Sequence, residues 1–284
     1  MLYRRQFLHA FIGYSQAAAG FSPKTALCAR AAAALAGVNV SGVLQAQSAL
    51  SPVTLAEDLI LLQGAQQNLL ATRHNEGLLL IDGGAQGYAD AIANTLQQTF
   101  GRLPINTLIN THWHPEQTGL NETLGASGTE IIAHENTRLR LSTETIVRWQ
   151  DRIYPPAPLA AQPQTTFLDT HTLNVGGETL TLGYMLQAHT DGDIYAHFPE
   201  RKVLMAGGAL STDSWPVIDW STAGWIGGMV KALDTLIALC DESTIIVPST
   251  GAPTDRAELI KQQVMYTDIM AKLNIMMEKG YGIT

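Results

Sequence analysis

The chain has 284 residues, 46% of them hydrophobic and 15% charged, with a formal charge of −8. This is ample material for a sizeable core, and no run of about 18 apolar residues lacks a polar or charged interruption, which argues against a transmembrane helix. The acidity argues against a partner with a phosphate backbone, so nucleic acid is not expected.

The first segment, "YRRQFLHAF", sets Arg4 and Arg5 before Phe7 and Leu8, as in a twin-arginine export signal. A mildly apolar stretch over 31–44 and small residues at Ala46, Ser48 and Ala49 complete the order of charged region, hydrophobic region and cleavage zone, although Lys24 and Arg30 interrupt it. The expectation is a leader over 1–48 and a single domain over 49–284. The mature protein is then periplasmic or exported, after transient engagement of the twin-arginine machinery and without stable membrane insertion. If the leader is only an extension, the protein is cytoplasmic. Arg4, Arg5, Lys24 and Arg30 are the only charged residues before position 47, so the remainder carries −12. Cys28 falls in the leader, which leaves Cys240 alone and no internal disulfide. Cys240 closes an apolar helical run and reads as a small hydrophobe.

Strands are expected over 53–62 and 68–72. "GLLLID", 77–82, is an all-apolar run ending in an acid and two glycines, the pattern of a strand buried on both faces. Residues 88–100 have helical spacing, with Ala91, Ile92, Leu96 and Phe100 inward. "PINTLINT", 104–111, is the next buried strand and leads straight into His112. A short strand over 130–133 and a helix over 136–144 follow. Pro155, Pro156, Pro158 and Pro163 forbid regular structure over 154–164, where the two halves of the domain are expected to join. The second half alternates around Gly176 and Gly177, pairs strands across "PERK", and then reads as a helix over 226–239, a strand over 244–248 and a long helix over 255–279. Strands in both halves, with helices between them, predict two packed sheets with helices outside.

The chemistry concentrates in "INTHWHPEQTGLNE", 109–122. His112 and His114, two apart at a strand end, can converge on one ion while Trp113 points away. A third imidazole, His189, stands in "QAHTDGD", again directly after an expected apolar strand. Three neutral imidazoles with an open fourth position are the ligand set of a catalytic zinc, which lowers the pKa of its bound water to about 7. His74, His134, His171 and His197 read as structural.

These residues resemble the metallo-β-lactamase-fold hydrolase superfamily. "LLLIDGG" is similar to its buried strand with Asp, the 104–122 stretch to its metal loop, "QAHTDGD" to its third-histidine turn, "KVLMAGG" to the strand that ends Gly-Asp, and "TIIVPSTG" to the one that ends Pro-Gly-His-Gly. The resemblance implies an α/β fold: an αββα sandwich of two mixed β-sheets, helices on the outer faces and the metal site at the sheet edge. It also implies where a second metal would be held, at Glu116, Gln117, Gly208 and Thr250. Gly208 has no side chain, and Gln117 and Thr250 are weak neutral donors, so this motif, H-x-H-P-E-Q, predicts one zinc per chain. Glu116 is a candidate general base beside the metal water. Asp82 is a candidate to orient a ligand histidine by accepting its hydrogen bond, or to cap the Gly83–Gly84 turn. Asp193 is expected to cap or orient the loop after His189, and Asp191 is a lesser candidate to face the metal.

"STDSWPVIDWSTAGWIGG", 211–228, occupies the place of substrate-contacting loops in that superfamily. Trp215 and Trp220, with Trp113, are candidates to line a pocket, and packing against the sheet is an equal reading for Trp215 and Trp225. The expected activity is attack by zinc-bound hydroxide on an ester, thioester, amide or lactam carbonyl of a small molecule. The alternatives are a non-catalytic metal- or ligand-binding protein and, last, an iron-dependent dioxygenase.

Overall fold

The computed structural model describes residues 50–281, so the leader expected over 1–48 lies outside the described residues. Six strands open the domain: β1 (Ser51–Ala56), β2 (Leu59–Gln63), β3 (Leu69–His74), β4 (Gly77–Ile81), β5 (Ile105–Ile109) and β6 (Glu130–His134). With β9 (Thr165–Phe167) they form one seven-stranded sheet in the order β1-β2-β3-β4-β5-β6-β9. The first four strands pair antiparallel, and those from β4 to β9 pair parallel. The second sheet has the order β10 (Thr170–Val175), β11 (Glu178–Tyr184), β12 (Ile194–Phe198), β13 (Val203–Ser211) and β14 (Ile245–Thr250). It is antiparallel except for the β13–β14 pair. A separate hairpin joins β7 (Thr145–Val147) to β8 (Arg152–Tyr154).

The alternation within β4 explains the layering. Leu79 and Ile81 face the second sheet, in a core with Leu182, Ile194 and Met205. Leu78 and Leu80 face the other way, against Ile92, Leu96 and Phe100 of helix α1 (Ala89–Phe100). Every residue of this strand is buried, so truncating one leucine to alanine would cost about 2–5 kcal/mol. The outer face of the second sheet is covered by α5 (Ile226–Leu239) and by Leu259 and Tyr266 of α6 (Arg256–Glu278). Three shorter helices, α2 (Pro115–Thr118), α3 (Asn121–Ala126) and α4 (Glu135–Ser142), follow the strand ends of the first sheet. The result is the expected αββα sandwich of two mixed sheets.

Three expectations need correction. The chain changes sheet at Leu168 and Asp169, between β9 and β10, and not within 154–164. The proline-rich stretch instead returns the chain to the first sheet, where β9 pairs with β6. The run expected as one strand over 53–62 is a hairpin, turned at Asp58 with φ 55°. The strand before His189 ends at Tyr184, and the intervening turn passes through Gln187 with φ 50°. No described helix is long and apolar enough to cross a membrane.

Candidate metal centre

The loop that follows β5 is fixed before any histidine is reached. The amides of Asn110 and Asn121 bond each other reciprocally, at 3.0 and 2.8 Å, and both residues are buried. At the end of the neighbouring strand β4, Asp82 adopts φ 63°, a left-handed conformation that few residues other than glycine accept. Its carboxylate takes two bonds from Thr111, from the backbone N–H at 2.7 Å and from the hydroxyl at 2.8 Å. The carbonyl of Thr111 accepts from Ile194 N–H of the second sheet at 2.9 Å. Thr111 therefore joins both sheets immediately before His112.

The imidazoles of His112, His114 and His189 meet edge to face, with ring centroids 4.7–4.9 Å apart. Each offers one nitrogen to a common point, all within 4.8 Å of one another. The nitrogens turned away are each held. Nδ1 of His112 lies 3.1 Å from the Thr111 hydroxyl, which has given its proton to Asp82 and so accepts. Nε2 of His114 donates to Asp219 Oδ2 at 3.0 Å, and Nδ1 of His189 donates to the carbonyl of Val217. These bonds fix one tautomer per ring and leave a lone pair on Nε2 of His112, Nδ1 of His114 and Nε2 of His189. His114 Nδ1 and His189 Nε2 are 3.0 Å apart, as two nitrogens are when both face one ion at a bond length of about 2.0–2.1 Å. The donor set fits a divalent metal, and among the described residues no other group of His, Cys, Asp and Glu is so spaced.

The electrostatics favour the ligating forms. Burial, with the neighbouring imidazoles, holds His112 well below the ordinary histidine range, and burial beside His114 brings His189 down to about 3. Burial raises Asp82 to about 7 against the two bonds from Thr111. Burial would raise Asp219 too, but hydrogen bonds from His114, Trp149 and Thr222 outweigh it and hold this carboxyl at about 2. Asp219 is fully buried and also takes the indole N–H of Trp149 at 2.9 Å and the Thr222 hydroxyl at 2.8 Å.

The histidine-bracing roles fall differently from the sequence expectation. Asp82 touches no ligand histidine and acts through the Thr111 hydroxyl. The carboxylate in direct contact is Asp219, one of two acids of the aromatic loop, with Asp213, and nothing in the sequence singles it out. Asp193 is fully buried, accepts two bonds from Thr190 and orders the turn after His189. Asp191 is turned to Arg140 at 2.6 Å, away from any ligand role.

The four positions of the missing second metal are rebuilt in different ways. A Cβ on Gly208 would lie 2.8 Å from Cγ of His189 and closer still to Cδ2, so the ring of His189 fills the space that a ligand side chain at 208 would need. Thr250 Oγ1 is engaged by Asp213 and Ser211, both at 2.7 Å. Gln117 is buried, and its Oε1 has no partner. Glu116 is half-buried and enters no ion pair among the described residues. A cavity of about 310 Å³ brings Glu116, Gln117, Gly208 and Thr250 together with the three histidines, and Trp149 and Trp215 line it as well. Trp113 lines an adjoining cavity and not this one: it is buried, its N–H donates to Thr222 at 3.3 Å, and its ring packs on His114 and Tyr154. Trp220 is exposed and does not line this cavity. Trp149 was not among the sequence candidates, because nothing in the sequence says that the β7–β8 hairpin reaches the site.

Comparison with known proteins gives a consistent result. The family description "Metallo-beta-lactamase superfamily" matches residues 63–264. Among solved structures, the metallo-beta-lactamase from Pontibacter korlensis aligns with a TM-score of 0.62 at 17% identity, covering 77% of this chain and 99% of that one. DIM-1 metallo-beta-lactamase aligns with a TM-score of 0.62 at 16% identity, covering 78% and 98%. At these identities the likeness is one of fold. A curated relative, 2,4-dinitroanisole O-demethylase subunit alpha of Nocardioides sp. (strain JS1661), is 27% identical over 160 residues, which is 55% of this chain. The chain spans 46% of that relative's length.

Proposed function

Because the chain belongs to the metallo-beta-lactamase superfamily, we propose that it is a mononuclear zinc hydrolase acting on the carbonyl of an uncharacterised small ester, thioester, amide or lactam, outside the cytoplasm. The observation that carries this reading is the trio of His112, His114 and His189, each with its outer nitrogen committed and its inner lone pair free. A zinc ion bound there supplies a Lewis acid and a water whose pKa falls to about 7.

The chain's own residues divide the remaining work. Asp219, Thr111 and the Val217 carbonyl hold the three rings in register. Glu116 lines the same cavity and pairs with no cation among the described residues, so its carboxylate can take a proton from water or pass one to a leaving group. The stoichiometry of one ion follows from Gly208 and Thr250, since the first position is closed by His189 and the hydroxyl of the second is engaged by Asp213 and Ser211.

The test is metal analysis of the purified protein together with turnover of a panel of esters, thioesters, amides and lactams. An activated aryl methyl ether joins the panel because one relative is named an O-demethylase. About one zinc per chain is expected, with turnover reduced by about 10²–10⁴ in Glu116→Gln while zinc content is unchanged. Failure to take up metal after reconstitution would overturn the reading, and full zinc without turnover across the panel would favour a metal-binding protein.

A further inference from the structure

We infer that the cavity over the three histidines selects an uncharged aromatic substrate and rejects anionic ones. This rests on the reading of the cavity as a hydrolase site and names the substrate class for it.

The lining chemistry carries the inference. Among the described residues, no lysine or arginine lines the cavity, and the one carboxylate that does is Glu116. Recognition of a carboxylate or phosphate group calls for a cationic or N–H-rich partner. Here an anionic substituent would lie beside Glu116 in a domain that is itself strongly acidic. Arg140 lines an adjoining cavity on the other side of Glu116, but its guanidinium is taken by Asp191 at 2.6 Å. The neutral polar wall is instead made of side-chain amides, among them Gln67, Gln117 and Gln150, and of hydroxyls, among them Ser214 and Ser249. Amides serve neutral polar groups, because each offers both donors and an acceptor.

The apolar part of the wall is led by two indoles, beside Pro216 and Val217. Trp149 is 42% exposed and Trp215 is 70% exposed, yet both line this concave surface. The indole N–H of Trp149 is already given to Asp219, so its ring, and not its polar edge, remains for a ligand. Exposed indoles on a cavity wall gain most from an apolar ring, through area burial and through stacked or edge-to-face contact. At about 310 Å³ the cavity is at the small end of ligand sites, suited to one ring with a short reacting group.

Methyl benzoate, its para-carboxylate derivative and methyl cyclohexanecarboxylate separate these features, and the para-carboxamide, isosteric with the carboxylate, controls for size. Binding is read by quenching of tryptophan fluorescence in zinc-loaded and in metal-free protein, and turnover is measured in parallel. The metal-free arm keeps direct carboxylate–zinc contact from masking the comparison. Methyl benzoate is expected to bind about tenfold tighter than the carboxylated or the cyclohexyl ester, and Trp215→Ala to weaken it about tenfold. Trp215→Leu, which keeps an apolar side chain, checks that the loss belongs to the ring, and unchanged circular dichroism checks the fold. Equal or tighter binding of the carboxylated ester in metal-free protein would overturn the inference, as would binding indifferent to Trp215. If the binding order holds without turnover of any ester, only the hydrolase reading fails. If the carboxylated ester is the preferred substrate, only this inference fails.

Discussion

The two faces of the cavity differ in how they treat a metal. On one, three histidines from two loops converge, and each is braced from behind by a different kind of group: a threonine hydroxyl, a carboxylate and a backbone carbonyl. On the other, the positions that would hold a second ion have been put to other uses. Gly208 makes room for the ring of His189, and Thr250 is bonded to Asp213 and Ser211. The two faces are thus not independent, because the empty side chain at 208 is a condition for His189 standing where it does. Loss of the second position and retention of the first are parts of one arrangement.

Four substitutions probe this contrast, beginning with the largest expected effect. His114→Ala removes a ligand and takes from the buried Asp219 one of its hydrogen-bond donors, so zinc content should fall from about one ion per chain to none by metal analysis. Gly208→Ala adds one methyl group against the His189 ring. Overpacking of this kind costs about 1–3 kcal/mol, and thermal unfolding of the metal-free protein together with a zinc titration should show both stability and affinity reduced. If Gly208→Ala binds zinc normally, the dependence of one face on the other is broken. Asp219→Asn keeps the size of the group but removes the charge that supports His114, and zinc affinity measured by chelator competition should weaken by about 10–100-fold.

The smallest effect concerns the turn after His189. Burial raises Asp193 from its ordinary 3.8 to about 8, against the bonds from Thr190 that lower it. A carboxyl whose folded value is raised contributes stability that is complete below about pH 4 and lost as the pH rises through about 8. Below about pH 6.5 the buried His112 and His189, whose folded values are depressed, gain stability with rising pH and oppose this loss. The Tm of the metal-free protein should therefore decline between about pH 6.5 and 8, and Asp193→Asn, which stays neutral throughout, should decline less there.

The β4 and β5 strands and helix α1 were legible because burial on both faces of a strand and on one face of a helix writes a periodic pattern into the chain. Residues 112, 114 and 189 were legible for a different reason, since metal chemistry demands particular side chains at short spacing after strand ends. What escaped was whatever depends on contacts across long separations. Asp219 and Trp149 reach His114 from stretches 105 and 35 residues away along the chain, with no local signal. The β9 strand has three residues, too few for a period, so the change of sheet was placed a few residues early, at the prolines. Strand alternation, which sends Trp113 away from the two ligands beside it, accounts for its place on the adjoining cavity and not on the one over the histidines.

Thr111 gives its hydroxyl and amide to Asp82 of the first sheet and its carbonyl to Ile194 of the second. Beside it, His112 and His114 belong to the first sheet's loop and His189 to the second's. An ion held by all three would act as a removable cross-link between the two layers, closing a long loop in the chain and narrowing the ensemble available when they part. Loading would then govern how long the sandwich stays shut as well as whether it can react, and a chelator would release the seam between the sheets at the same moment it silenced the site.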